Sequence, residues 1–293
     1  MRFLAVLSMT AAASAFAGVS AVDSEGRRIQ LEQPARRIVS LAPHVTEQLF
    51  AAGAGDRLVA VSEYSDYPEP AKRLPQVASS TGVDLERVLA LNPDLVVAWR
   101  LEATSAALAR LEALGLPVFY SDPRRLAQIP GSIEALGELA GTAGTARALA
   151  DSLRKQLNEL SAQYRSKRPV SVFYQISERP LMSLGGRQFV SDAIELCGGR
   201  NVFADSALMA PQVNIEAVLA ADPEAIITAS ASPSDRSWQA LWRRFPGMRA
   251  VRADNLYAVP TNEMHRHGPR AIGATALLCG YIDEARLKAA SRP

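Results

Sequence analysis

The chain has 293 residues, enough for one or two domains with substantial cores. Its charge is nearly balanced, 32 basic against 30 acidic side chains, which argues against a polyanionic partner such as nucleic acid. Glycine and proline are scattered, and no stretch has the composition of a low-complexity or disordered segment.

Residues 1–21 combine a basic start at Arg2, an apolar run, and small-residue cleavage options at Ala15-Phe16-Ala17 and Val19-Ser20-Ala21. This pattern predicts a cleaved secretory signal peptide, with a buried N-terminal helix as the alternative. No later stretch reaches the roughly 18 unbroken apolar residues of a membrane span, and no cysteine near the cleavage options offers a lipid anchor. Polar alternation around Glu25-Gly26 then predicts a small exposed hairpin. Short β-rich runs at 37–42, 58–63, 95–99 and 117–122 follow, separated by helical stretches, and the rhythm resumes at 170–177, 224–230 and 255–260. Strands alternating with helices predict an α/β fold with parallel sheets.

Residues 142–167 differ. They run without proline, with Leu149, Leu153, Leu157, Leu160 and Tyr164 at helical spacing, a possible cap at Thr142 or Thr145, and Pro169 as the stop. A helix of about 25 residues spans roughly 35–40 Å. It reads as a rigid connector, or else as an ordinary helix packed within one lobe.

One passage occurs twice. VDLERVLALNPDLVVA at 83–98 returns without a gap as VNIEAVLAADPEAIIT at 213–228, each reading as helix, turn and buried strand. Two copies are too few for a solenoid and predict two α/β lobes of similar design, 22–140 and 169–293, joined by a connecting helix over 141–168. Asp84 and Asn214 are the expected helix caps. Leu85, Val88 and Leu89 face inward in one copy and Ile215, Val218 and Leu219 in the other, leaving Glu86 and Glu216 outward. First-turn acids offset the helix dipole, and the matched pair also has the form of two prongs for a basic partner. Cys197 and Cys279, an even count in an exported chain, favour a disulfide over two buried thiols.

The segments DSEGRRIQLEQPARRIVSLAPHVTE, EYSDYP, LERVLALNPDLVVAW, ELCGGRNVF and PQVNIEAVL resemble the helical-backbone substrate-binding proteins of iron–siderophore, haem and vitamin B12 importers. The resemblance extends over about 37–286, and YSDYP, AWR and both cysteine contexts are features of the B12-binding members. It implies two lobes joined by one long helix, with cobalamin or a related corrinoid held between them and little lobe closure. It also implies a periplasmic monomer without enzyme activity that delivers its ligand to the inner-membrane permease of a cobalamin-type ABC importer with its ATPase. By match, Tyr64, Trp99, Asn262, Glu263, Met264, His265 and Arg266 are the ligand-touching residues. Glu86 and Glu216 are the permease-docking pair, and Cys197 and Cys279 the family disulfide. Where B12-binding members carry further pocket aromatics, this chain has Ser80, Ile176 and Ala210, and its ligand loop carries His265 and His267.

The rival expectation is a haem or ferric-siderophore binder of the same family, with His265, His267 or Tyr64 able to ligate a metal centre. His44, at the end of the first strand, lies where α/β clefts are lined. Three histidines in all give little material for a site holding a free metal ion. No nucleophile elbow, phosphate-cradling glycine loop or His-Glu-x-x-His sequence is present, so no enzyme is expected.

Overall fold

The computed structural model describes residues 18–232 and 234–290. The expected leader lies outside the described residues as far as residue 17, and the last three residues of the expected C-terminal lobe lie outside them too. Strand β1 (Val19–Val22) pairs antiparallel with β2 (Arg28–Leu31), closing the hairpin at the Glu25-Gly26 turn. This hairpin is docked, where exposure was expected, because Ala21 and Leu31 join the core beside the fourth helix of the chain.

The N-terminal lobe continues through β3 (Ile38–Ser40), α1 (Pro43–Ala51), β4 (Leu58–Ser62), β5 (Gln76–Ser79), β6 (Gly82–Val83), α2 (Leu85–Ala90), β7 (Leu95–Ala98), α3 (Glu102–Ala113) and β8 (Val118–Tyr120). These strands form one sheet in the order β6-β5-β4-β3-β7-β8, parallel except for β6. Then come α4 (Ile129–Ala140) and α5 (Ala143–Tyr164).

The C-terminal lobe has β9 (Val170–Gln175), the short pair β10 (Ser177–Glu178) and β11 (Leu181–Met182), α6 (Phe189–Leu196), β12 (Gly199–Asn201), α7 (Ile215–Ala221), β13 (Ala225–Ser230), α8 (Gln239–Trp242), α9 (Arg249–Arg252), β14 (Leu256–Pro260), α10 (Thr261–His265) and α11 (Arg270–Ala290). Its sheet is fully parallel, in the order β12-β9-β13-β14. Strand β5 and the edge strand β12 were not legible as strands, being short and bounded by polar residues.

Helix α5 is the expected long helix, roughly 33 Å at 1.5 Å per residue. Ala146, Ala150, Leu153, Leu157 and Tyr164 form its buried stripe. It packs on α4 in one lobe and on α6 and α11 in the other, so it serves both. The α4–α5 turn is tight: a Cβ on Gly137 would come within 2.2 Å of the Ala146 Cβ, so only glycine permits this approach. Thr142 stands at the cap position of α5 but its hydroxyl makes no cap bond.

One core runs continuously through both lobes, from Ile38, Val97 and Leu49 past Leu136 and Leu153 to Val172, Ile227 and Ile282. Separate clusters cover the outer face of each sheet, around Val96 and Leu111 in one and Phe173 and Trp242 in the other.

The repeat persists down to single hydrogen bonds. The Asp84 carboxylate accepts from the Arg87 N–H at 3.0 Å, and the Asn214 side-chain oxygen from the Ala217 N–H at 2.8 Å. Asn92 and Asp222, at matched turn positions, both have positive φ, a conformation that Asn and Asp tolerate. The next acid ties each repeated strand to its neighbour: Asp94 accepts from the Arg36 and Arg37 N–H groups, and Glu224 from that of Ser171. Leu89 departs from expectation and is exposed, because its short helix buries only Val88 fully.

Cys197 and Cys279 form a disulfide that pins the end of α6 to α11. The bridge closes a separation of 82 residues. In the chain-entropy treatment a loop of this size contributes about 4–5 kcal/mol. Replacing both cysteines by serine is expected to lower the unfolding free energy by up to that amount, measured by urea denaturation; an unchanged midpoint would contradict it.

Candidate functional site

In a parallel α/β sheet the loops leaving the carboxyl ends of the strands build the binding crevice. Here His44 follows β3, Tyr64 follows β4, Trp99 follows β7 and Asp122 follows β8. From the other sheet, Ile176 follows β9 and the α10 segment with His265 follows β14. The segments after β7, β8, β9 and β14 meet in a cleft of about 770 Å³ whose lining includes Trp99, Asp122, Ile176, Phe189, His265 and His267, with the His44 and Tyr64 loops outside that lining.

The inner end of this cleft is aromatic and imidazole-rich. His267 stacks on Phe189 with ring centroids 4.7 Å apart, and its ring lies 5.6 Å from His44 and 5.9 Å from Trp99. Trp99 donates its indole N–H to Asp122 at 3.1 Å, which fixes the ring plane against the cleft. The His44 Nε2 stands 3.0 Å from the Ser121 carbonyl, which can only accept, so that nitrogen carries the proton. Burial lowers the His44 pKa, partly opposed by that bond. Burial also lowers His267, with the nearby His44 adding to it, to about 4. His265 shares a 2.9 Å hydrogen bond with the hydroxyl of Tyr174, whose own pKa burial raises. His265 and His267 thus line the cleft, and the third histidine, His44, is buried against His267. Among the described residues, however, no group of three or more His, Cys, Asp or Glu is placed to hold a metal ion.

The cleft walls are held together by a buried carboxylate. Glu47 on α1 has a fully buried side chain and accepts from Arg266 at 3.1 Å and from two nitrogens of Arg270 at 2.6 and 3.0 Å. Arg266 also bonds Asp66 and the Tyr64 carbonyl, while the Arg270 guanidinium lies 4.0 Å over the Tyr67 ring. The Arg266 contact holds the Asp66 carboxyl below its ordinary pKa. Next to it Gln48 donates to the His267 carbonyl at 2.6 Å and accepts from Ser121 at 2.8 Å.

Of the residues expected to touch a ligand, Trp99 and His265 line the cleft. Tyr64 is exposed, in a left-handed backbone conformation, outside that lining. Asn262 is exposed, Glu263 pairs with Arg270, Met264 is fully buried in the core, and Arg266 is engaged by Glu47. Sequence reasoning missed Leu184, Arg187, Phe189, Leu208 and Met209 as lining residues. The apolar Leu208-Met209 pair inside a non-periodic loop was the only signal. Glu86 and Glu216 are exposed at the first turns of their capped helices, away from the cleft lining.

The periplasmic binding protein family matches residues 38–263. The vitamin B12-binding protein of Vibrio cholerae is 40% identical over 253 residues, covering 85% of this chain and 90% of that protein. The vitamin B12-binding protein of Yersinia pestis is 38% identical over 247 residues, covering 84% and 86%. The crystal structure of the V. cholerae periplasmic vitamin B12 binding protein BtuF superposes with a TM-score of 0.80 at 39% identity, covering 86% of this chain and 98% of that one.

The imidazoles make the site acid-sensitive. His267 is held neutral in the folded chain down to about pH 4, whereas an unfolded histidine protonates near 6.5. Its contribution is therefore complete above pH 6.5 and is lost progressively as pH falls towards 4, where the unfolded state binds the extra proton. Thermal midpoints are expected to fall across that window, and less steeply in His267→Gln. Parallel pH profiles for the two proteins would refute this role for His267.

Proposed function

The chain belongs to the periplasmic binding protein family, and on that premise we propose that it captures a corrinoid, vitamin B12 or a related cobamide, in the cleft and delivers it to an ABC importer. The observation that carries the reading is the placement of Trp99. This residue, matched to the pocket tryptophan of B12-binding members, stands in the large cleft with its ring fixed by Asp122. A flat macrocycle gains most of its contact from such faces. Ile176 and the exposed Leu208 and Met209 supply aliphatic and thioether surface on the opposite wall. The continuous core and the Glu47 clamp favour a cleft that changes little on binding. Tyr64, Asn262 and Glu263 stand at its rim in this reading, Met264 and Arg266 support the loop from behind, and the protein acts as a periplasmic monomer.

Purified protein is expected to carry cyanocobalamin through gel filtration at one-to-one stoichiometry. Trp99→Ala is expected to weaken that binding by about 1–3 kcal/mol in calorimetry, the value of one large buried side chain. Haem bound tightly with no heat from any corrinoid would establish the rival ligand instead.

Glu86 and Glu216 serve the permease in this reading. They occupy equal positions on equal helices, one per lobe, and suit two arginine contacts worth about 1.5–3 kcal/mol each when well formed. The double alanine variant is expected to lose stimulation of the importer's ATPase in liposomes while retaining corrinoid affinity. Loss of ligand binding with docking intact would overturn the assignment.

The leader is removed after Ala17 in this reading. Cleavage after Ala21 would delete most of β1, including buried Ala21, whereas cleavage after Ala17 leaves the strand whole. N-terminal sequencing of the exported protein is expected to begin at Gly18; a start at Val22 would refute this.

A further inference from the structure

Three arginines line the cleft, and two of them are already engaged. Arg100 pairs with Glu25 at 2.7 Å and lies 4.2 Å over the Tyr120 ring. Arg124 pairs with Asp122 at 2.7 Å. Arg187 has no hydrogen-bond acceptor or acidic partner for its side chain among the described residues. Glu102, the remaining lining acid besides Asp122, belongs to the other lobe, at the start of α3.

The backbone around Arg187 is held in place. Gly185 and Gly186 donate their N–H groups to the carbonyls of Met209 and Ala204, each at 3.0 Å. A Cβ on Gly185 would lie 2.3 Å from the Leu208 carbonyl oxygen, and one on Gly186 2.5 Å from that of Ala204. Two passing chains are thereby locked with no room for a side chain between them. The lock sets the Arg187 cation next to a loop that exposes two adjacent apolar side chains, Leu208 at 66% and Met209 at 67%. An unpaired guanidinium beside an exposed apolar pair fits an anionic group joined to an apolar ring.

On a corrinoid the peripheral amides are neutral, and the nucleotide loop carries a phosphodiester linked to an aromatic base. We propose that Arg187 receives that phosphodiester and that Leu208 and Met209 pack on the base. This chain thereby distinguishes a complete cobamide from a cobinamide that lacks the loop. The inference rests on the corrinoid reading above. A guanidinium meets phosphate oxygens through paired N–H groups, and ligand cover over the exposed side chain strengthens the contact by excluding water.

The test crosses residue with ligand. Calorimetry on the wild type and Arg187→Gln uses cyanocobalamin and dicyanocobinamide, with thermal melts confirming that the variant folds. The variant is expected to lose on the order of tenfold in cobalamin affinity and to bind cobinamide as the wild type does. Added salt is expected to weaken cobalamin binding by the wild type more than by the variant. Equal losses for both ligands, or no loss for either, would overturn the role of Arg187. Failure of the wild type to bind either ligand would instead overturn the corrinoid reading, and this assignment with it.

Discussion

The carboxylate of Glu47 is the point on which the cleft depends. It is wholly buried and shared by Arg266 and Arg270, which reach it from the segment entering α11. Desolvating three charged groups is costly, and only close, multiply bonded geometry offsets that cost. The return is positional. One helix of the N-terminal lobe fixes the loop that carries His265 and His267, and through Arg266 the same carboxylate fixes the backbone at Tyr64. Removing Glu47 would leave two guanidiniums without their buried counter-charge, and both cleft rims would lose their common anchor. A Cβ on Gly268 would lie 3.2 Å from the Glu47 carboxylate, which is how closely the loop backbone approaches it.

The duplicated unit explains why a cleft exists at all. Each copy caps a short helix, turns through an Asn or Asp with positive φ, and registers its strand through an acid bonded to the neighbouring strand's first residues. These local rules orient the central strands of both sheets alike relative to their helices. The parallel sheets then supply their carboxyl ends, and the loops from both, to the space between the lobes. Helix α5 and the continuous core hold the two sheets in that relation.

Within the cleft, charge is mostly internalised. Asp122 serves both Trp99 and Arg124, Glu25 neutralises Arg100, and burial lowers the pKa of the inner imidazoles His44 and His267. The surface left for a ligand is therefore largely aromatic and apolar, with Arg187 as an arginine that has no partner among the described residues. Such a surface suits a large, flat, mostly neutral molecule better than a small ion.

Much of this architecture was legible in the sequence. Seven strands, the long helix, both helix caps and the cysteine pairing followed from periodicity, capping chemistry and composition, because each depends on residues close in sequence or on a countable feature. Trp99 and His265, named through the family resemblance, both line the cleft. The Glu47 clamp, the docking of the first hairpin, the burial of Met264 and the Gly185-Gly186 lock were not legible. Each joins segments far apart in the chain, and the identity of Glu47 as an acid in a helix says nothing of the arginines more than two hundred positions away. The sequence by itself determined the elements, their duplication and the chemistry available to the loops. Only the tertiary structure decided which polar groups neutralise one another and which, like Arg187, have no partner among the described residues, because pairing requires the packed distances that the fold alone creates.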